Sequence, residues 1–487
     1  MSLTNKTVRN ISSIGLLHIF TKTLNLVTLT ILSRLLLPSD FGIIAIAGIM
    51  ITVADQFKDF GIGNAVIHKQ DKSDEYLITG FTIRLVFGIL FFGAIFLLAP
   101  LYANYFNDKV ITSVLRVSSI VLILENFSFT PDTKLRMELK FNTIVYSNLV
   151  GLVSYSLVAI FLAYSGYSYW SIVYARIIQS ITSISYFWIK TPWKFQLKFD
   201  IEKGKDLLRY GKYIFTTGLI ALAMGNMNNL ILGKVVGSTI LGYYVVASNW
   251  AYFSSREITA VFGKVLFPTY SSIQDDLPRL GNAFLKTLKY TAIISIPIAV
   301  ATFTIAPEFV TIVLGAKWAP SILPLQILCI AGLLQSINTM TGNLYFSMGI
   351  AKITTVMAGG QFLLMLIFVI PAAKLYGLIG VASLTSLVIL IFTPINFYIL
   401  YKYLKFDLRK FMEILFTPTI CAFIMATYIL LIKNYLKNFD LISKYPLILL
   451  IFLIISGLII FIVSIIILTK GRIIKEIMDL KSNLKSG

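Results

Sequence analysis

Histidine and cysteine are nearly absent from this 487-residue chain, which has two of each. His18 and His68 are too few to build a metal centre, and no HExxH or GxSxG pattern occurs. Cys329 and Cys421 each lie inside an apolar run, where a thiol packs as a small hydrophobe. Such a pair suits neither a disulfide framework nor a metal site. A GxxxxGKS/T phosphate loop is also lacking, which argues against ATP hydrolysis by this chain. Charge is scarce: 13% of residues are Asp, Glu, Lys or Arg, about half the ~25% of a soluble domain. Acid is the rarer sign, with 22 Asp and Glu against 42 Lys and Arg.

Apolar residues fill the space that charge leaves. They make up 57% of the chain, and the mean hydropathy is +0.83. They come in long blocks such as "LVFGILFFGAIFLLAPLY" and "YPLILLIFLIISGLIIFIVSIIILT". About 20 consecutive apolar residues cross a bilayer core as a helix, and lipid supplies no partners for an irregular backbone. The blocks do not alternate with period two, which excludes a transmembrane barrel. The sequence therefore predicts an all-α polytopic membrane protein of about fourteen transmembrane helices. Their centres fall near residues 22, 52, 90, 120, 152, 178, 221, 251, 295, 334, 362, 388, 422 and 457. The N-terminal "MSLTNKTVRNISS" lacks the apolar core and small-residue cleavage site of a signal peptide, and retention is expected.

Basic residues alternate from loop to loop. Twenty-nine Lys and Arg fall at the termini and in the loops after even-numbered spans, against eight on the other side and five within spans. The positive-inside rule then predicts both termini in the cytoplasm. The net charge of +20 follows from this topology and from attraction to anionic headgroups, and needs no nucleic acid.

One phrase is written twice. "ILSRLLLPSDFGIIAIA" at 31–47 returns without a gap as "ILGKVVGSTILGYYVVA" at 231–247. Six spans lie between the copies, so both have the same orientation. Each falls at the expected external turn between the first two spans of its half. A second echo places Ala-Pro at 99–100 and again at 306–307, followed by "VLRVSSIVLI" and "ILPLQILCIA". Parallel six-span halves imply an internal pseudo-twofold relation. The expected division is an N-terminal lobe over 1–192, a cytoplasmic linker over 193–213, and a C-terminal lobe over 214–404. Two added helices and a basic tail then occupy 405–487.

Charge deep in a bilayer costs several kcal/mol unless it meets a cavity or a partner. Lys22 lies near the middle of span 1. Span 2 carries Asp55, Lys58 and Asp59, and span 8 carries Arg256 and Glu257. Asn226 and Asn229 share a face of span 7. These helices are equivalents in the two halves, and in a parallel two-lobe transporter the substrate site lies between lobes. Lys22, Lys58, Arg256, Asn226 and Asn229 are therefore the candidate binding set for an anionic, hydroxyl-bearing headgroup. Arg84 is expected to snorkel, Arg116 and Glu125 to form a packing pair or lie at the interface, and Arg176 to be structural. The loops on the less basic side are too short for the catalytic domain of a glycan polymerase, and no enzyme activity is expected.

Taken in order, several motifs identify a resemblance. "ILSRLLLPSDFGIIAIA", "FKDFGIGNAVIHKQD", "PDTKLRMELKFNTIVYSNLV", "NNLILGKVVGSTILGYYVVA", "FPTYSSIQDD" and "VLGAKWAPSILPLQILCIAGL" resemble the polysaccharide-transport branch of the oligosaccharide flippases. That branch belongs to the multidrug/oligosaccharidyl-lipid/polysaccharide exporter superfamily, and the likeness runs over roughly residues 10 to 400. It implies a V-shaped, two-lobed fold with alternating access. The implied cargo is an undecaprenyl-pyrophosphate-linked oligosaccharide for O-antigen, capsule or exopolysaccharide assembly. A polymerase and a chain-length regulator are the implied protein partners, with membrane lipids around the chain. Lys22 and Arg256 match the basic character that the family places on its cavity helices. Asn228 stands where relatives often carry an acid, so coupling to a proton or sodium gradient would fall to Asp55, Asp59 or Glu257; no cofactor is implied. The alternative of the same fold is a multidrug/cation antiporter, which calls for an acidic, aromatic cavity.

Overall fold

A computed structural model describes residues 3–69, 74–191, 193, 196–253, 255, 266–436 and 446–471, with side chains of the first helix described at Leu17 and from Phe20. The described residues form helices and turns with no strand. Two compact units divide at residue 242: Met1–Gly242 and Tyr243–Gly487. Ten helices among the described residues are long and apolar enough to cross a membrane. One of these, Lys352–Leu404, has 53 residues. At 1.5 Å per residue it would span about 80 Å if straight, far more than a ~30 Å core. It breaks at Gly377, whose φ of 55° and ψ of −131° are not helical. The break separates the two spans expected near 362 and 388.

The first unit contains α1 (Leu3–Leu35), α2 (Pro38–Asp59), α3 (Ile62–Lys69), α4 (Glu75–Tyr105), α5 (Val110–Ser118), α6 (Ile120–Leu124), α7 (Asn126–Met137), α8 (Phe141–Tyr164), α9 (Trp170–Lys190) and α10 (Ile201–Val235). Residues 201–213, read from sequence as linker, form the first turns of α10. Asp200 caps this helix, accepting a hydrogen bond from the Lys203 backbone N–H at 3.1 Å. That bond holds the Asp200 carboxyl below the usual carboxylate range.

Helix α10 packs along α2, and glycine explains how closely. A side chain at Gly211 would strike the Phe60 carbonyl, one at Gly218 would strike Gln56, and one at Gly233 would crowd Ile46. Small residues let apolar helices approach backbone to backbone where lipid provides no hydrophobic drive. This packing places α10 in the first unit, whereas the proposed repeat boundary groups it with the second half; packing and repetition divide the chain differently.

The twice-written phrase has a structural counterpart. Helices α1 and α10 end at Leu35 and Val235, and the next helices begin at Pro38 and Ser238, so both turns keep the offset of 200. The two turns also meet. A Cβ on Gly42 would collide with the Ser238 carbonyl, and a Cβ on Gly242 with the Pro38 carbonyl. Gly42 and Gly242 are counterparts, as are Pro38 and Ser238, so the contact is reciprocal. The glycine recurs because each copy needs room for the other's backbone. In the first copy Pro38 opens α2, and buried Asp40 accepts the Leu37 backbone N–H at 2.8 Å. The Ser168 hydroxyl donates to the same carboxylate at 2.5 Å.

The Ala-Pro echo is also functional in packing terms. A proline inside a helix leaves the carbonyl four residues earlier without its usual donor, and in lipid a neighbour must supply one. Pro100 frees the Phe96 carbonyl, which accepts from Arg116 Nε at 3.1 Å. In the second unit Pro307 frees the Phe303 carbonyl, which accepts from Gln326 Nε2 at 3.0 Å. Pro131 adds a third case, with Trp188 Nε1 donating to the Phe127 carbonyl at 2.9 Å.

The second unit holds α11 (Ser238–Ala251, across the boundary), α12 (Leu277–Glu308), α13 (Ile322–Ser347), α14 (Lys352–Leu404), α15 (Leu408–Leu436) and α16 (Pro446–Leu468). Asn396 Nδ2 donates to Thr341 Oγ1 at 2.7 Å and to Asn338 Oδ1 at 3.0 Å, joining α13 to α14 by side-chain amides. Cys421, Ala422 and Met425 of α15 pack with Ala292 and Ile296 of α12, and Leu453 and Phe461 of α16 join them. Cys329 and Cys421 are buried free thiols. Helix α16 is apolar all round, yet Leu450, Leu453, Gly457, Phe461 and Ile465 are buried while Ile451, Ile455, Ile459 and Ile462 are exposed. A bare isoleucine stripe of this length is a lipid-facing surface.

Candidate functional site

Span 2 delivers its charge at the end of α2. Lys58 is fully buried, at 0% exposure, and its Nζ lies 2.6 Å from Asp55 Oδ1 one turn earlier. Glu125 Oε2 is 3.8 Å from the same ammonium. Glu125 occupies the junction of α6 and α7, and its other oxygen is 3.3 Å from Arg176 Nη2 of α9. Arg176 Nη1 then donates to Gln179 Oε1 at 2.9 Å. The result is a chain of charge, Asp55–Lys58–Glu125–Arg176–Gln179, contributed by three stretches of sequence. The next residue, Asp59, bonds to Arg84 of α4. The Arg84 guanidinium lies 4.7 Å from the Phe129 ring centroid, a cation–π contact.

Local sequence makes this clustering feasible. Gly88 of α4 leaves room for buried Asn126, whose Nδ2 donates to the Leu122 carbonyl at 2.9 Å. Without a side chain at position 88, α4 comes close enough to α7 for Arg84 to reach Phe129. The network is closed at its centre and open at its ends. Lys58 has no exposed surface, whereas the side chains of Asp55 and Arg176 are 46% and 55% exposed. A buried ammonium without a carboxylate is strongly unfavourable, and Asp55 and Glu125 supply the carboxylates that face Lys58. Arg176 presents a planar fork suited to phosphate or carboxylate oxygens.

The expectations from sequence meet this geometry unevenly. Lys58, Asp55 and Asp59 come together with other charges, but Asp55 and Asp59 turn to different cations despite sharing a helix face. Lys22 is half-buried on α1. It lies thirteen residues before Leu35, about 20 Å along the axis. Asn226 Nδ2 donates to the Leu222 carbonyl of its own helix at 3.0 Å, and Asn229 is half-buried on α10. Arg256 and Glu257 lie outside the described residues. Arg84 does not snorkel: its side chain is 12% exposed and paired with Asp59. Arg116 and Glu125 do not pair with each other. Arg116 stacks over the Phe96 ring at 4.5 Å and caps that residue's carbonyl, while Glu125 faces Lys58 and Arg176. Glu125 and Arg176 are thus members of the network that sequence reasoning set aside. Their signal was present, since both are charges in apolar spans, but spacing along one helix does not reveal a partner fifty residues away.

Long apolar helices and an exposed isoleucine stripe define a multi-pass membrane protein. The profile of a family described as "polysaccharide biosynthesis protein" matches residues 31–323. This is more than half of the chain, and the chain belongs to that family. It is 26% identical over 411 residues to the lipopolysaccharide biosynthesis protein WzxC of Escherichia coli (strain K12), covering 82% of each chain. It is 22% identical over 365 residues to the teichuronic acid biosynthesis protein TuaB of Bacillus subtilis (strain 168), covering 74% of this chain and 75% of that one. The fold matches the lipid II flippase MurJ in an inward closed conformation with a TM-score of 0.74 at 15% identity, over 94% of this chain and 99% of that one. An inward-facing multidrug resistance MATE family transporter matches with a TM-score of 0.61 at 16% identity, over 81% and 94%. The structural likenesses establish the exporter fold class, and the family match places the chain in the polysaccharide exporter superfamily. It is a membrane transport protein of polysaccharide biosynthesis.

Proposed function

We propose that this protein is a flippase that carries an undecaprenyl-pyrophosphate-linked oligosaccharide from the cytoplasmic to the periplasmic leaflet by alternating access. It would serve O-antigen, capsule or exopolysaccharide assembly and catalyse no covalent chemistry. The observation that carries this reading is Lys22, a cation near the middle of the first helix. Lys58, Arg84 and Arg176 face Asp55, Asp59 and Glu125, and Lys22 is a further cation of the same unit, half-buried on α1. A diphosphate headgroup is the cargo that such a charge recognises. The opposite sign would suit the cationic cargo of a drug antiporter, the rival of the same fold. Lys22 and Arg256 are assigned to the diphosphate, and Lys58, Asn226 and Asn229 complete the proposed binding set. Because Asp55 and Asp59 already neutralise lysine and arginine, a proton arriving at either would release a cation toward the substrate, which links transport to a gradient. Glu257 is the third carboxylate in this role.

Proteoliposomes containing a labelled undecaprenyl-pyrophosphate oligosaccharide test the proposal through access of a membrane-impermeant glycosidase. The protein is expected to expose the inner-leaflet pool. Lys22→Gln with Arg256→Gln is expected to lower the rate at least tenfold while the protein stays monodisperse. Undiminished flipping by that variant would remove the cationic assignment, and protein-dependent uptake of a cationic dye instead would favour the antiporter.

A further inference from the structure

We propose that the basic end of the second unit binds an anionic phospholipid, whose phosphate is gripped by lysines from three helices and whose acyl chains lie along apolar flanks. A cavity of about 710 Å³ opens between the first turns of α12, the first turns of α15 and the last turn of α16. Its volume is within the ~300–1,000 Å³ that accommodates a drug-sized ligand, far more than a lone phosphate fills. Lys286 and Lys289 line it from α12, Lys410 from α15 and Lys470 from the end of α16. Glu413 is the acid among the lining residues, and it lies 3.5 Å from Arg409 in an exposed pair. Lys410 lies 3.8 Å from Asp407 in an exposed pair, a contact worth little in water. Four lysines against one glutamate make the lining basic.

The lining is graded along all three helices. Lys286, Lys289 and Ile293 follow one another on one face of α12, at i, i+3 and i+7. On α15, Lys410 gives way to Ile414 one turn further in. Helix α16 runs the other way, from Ile465 and Leu468 out to Lys470. A basic rim over an apolar floor, repeated on three helix ends, is complementary to an amphiphile with an anionic head. A soluble anion would need only the rim. Basic pockets between helices at the lysine-rich end of a membrane protein are suited to acidic lipid headgroups. The site is separate from the charges of the first unit, and the inference does not depend on what the protein transports. A lipid held here would bridge α15 and α16 to α12, fastening the last two helices to the bundle.

Native mass spectrometry of the full-length protein, released from micelles with phosphatidylglycerol or phosphatidylcholine, provides the test. The protein is expected to retain phosphatidylglycerol at least tenfold over phosphatidylcholine at equal concentration. The quadruple change Lys286→Gln, Lys289→Gln, Lys410→Gln, Lys470→Gln should abolish that preference, and the corresponding four arginine substitutions should keep it. Equal retention of both lipids would overturn the proposal, as would unchanged retention by the glutamine variant. Displacement of phosphatidylglycerol by millimolar inorganic phosphate would reassign the site to free anions. Displacement by an equimolar polyprenyl diphosphate would reassign it to transport cargo. If the quadruple variant is not monodisperse, Ile414→Trp, which fills the apolar floor, is expected to lower retention at least fivefold; unchanged retention would overturn the proposal equally.

Discussion

Lys58 illustrates how the worth of a buried charge depends on which partner is removed. Its ammonium has no exposed surface, whereas Asp55 is nearly half exposed and Glu125 keeps Arg176 as a second partner. Taking away the lysine leaves two carboxylates that retain water or a cation. Taking away the nearest carboxylate leaves a buried ammonium with one oxygen at 3.8 Å. Asp55→Asn is therefore expected to destabilise the protein by about 3 kcal/mol, while Lys58→Met costs about 1 kcal/mol or less. The double variant should recover most of the Asp55→Asn loss. Thermal midpoints of the three proteins purified in one detergent check this order, and an equal loss for both single variants would contradict it.

At the scale of elements, proline and glycine do related work: each creates a backbone requirement that a second helix must meet. Arg116→Leu should leave the Phe96 carbonyl unpaired and cost about 1–2 kcal/mol. In a Pro100→Ala background residue 100 regains its N–H, and the same arginine change should become nearly neutral. A thermal double-mutant cycle measures this coupling, and additive effects would mean that Arg116 acts only through its stacking on Phe96. The glycine pair makes a sharper demand, because backbone rather than a flexible side chain lies in the way. Gly42→Ala and Gly242→Ala should each cost about 1–3 kcal/mol by overpacking, read as a lowered midpoint. The two contacts share one crossing, so the double variant should lose less than the sum. Alanine at both positions without any loss would show that the turns do not meet.

For the whole molecule, the arrangement of lysine and arginine predicts sidedness. In a Cys329→Ala, Cys421→Ala background, single cysteines report which loops face outward. Tyr167→Cys in the turn before α9 should react with an impermeant maleimide in intact cells. Lys140→Cys, in the turn before α8, should react only after permeabilisation, since the two ends of one span cannot share a face of the membrane. Reversed labelling would invert the topology and with it the direction of transport. Either result leaves the fold class unchanged, because helix packing does not depend on which compartment each end meets.

What the sequence determined by itself was the all-α class built on long apolar helices, the alternation of basic loops and the repeated turn. All three are local properties: about 20 apolar residues demand a helix in lipid, loop charge sets orientation, and an ungapped echo is visible letter by letter. The site was legible only as a set of charges at depth. That Lys58 meets Glu125 rather than the headgroups, that Arg84 turns to Asp59, and that Arg116 caps a carbonyl were decided by tertiary structure. Helical periodicity assigns a residue to a face, but partners on other helices depend on how closely those helices approach. Here that approach is set by small residues such as Gly88, Gly211 and Gly218, whose effect is seen only against the neighbouring element.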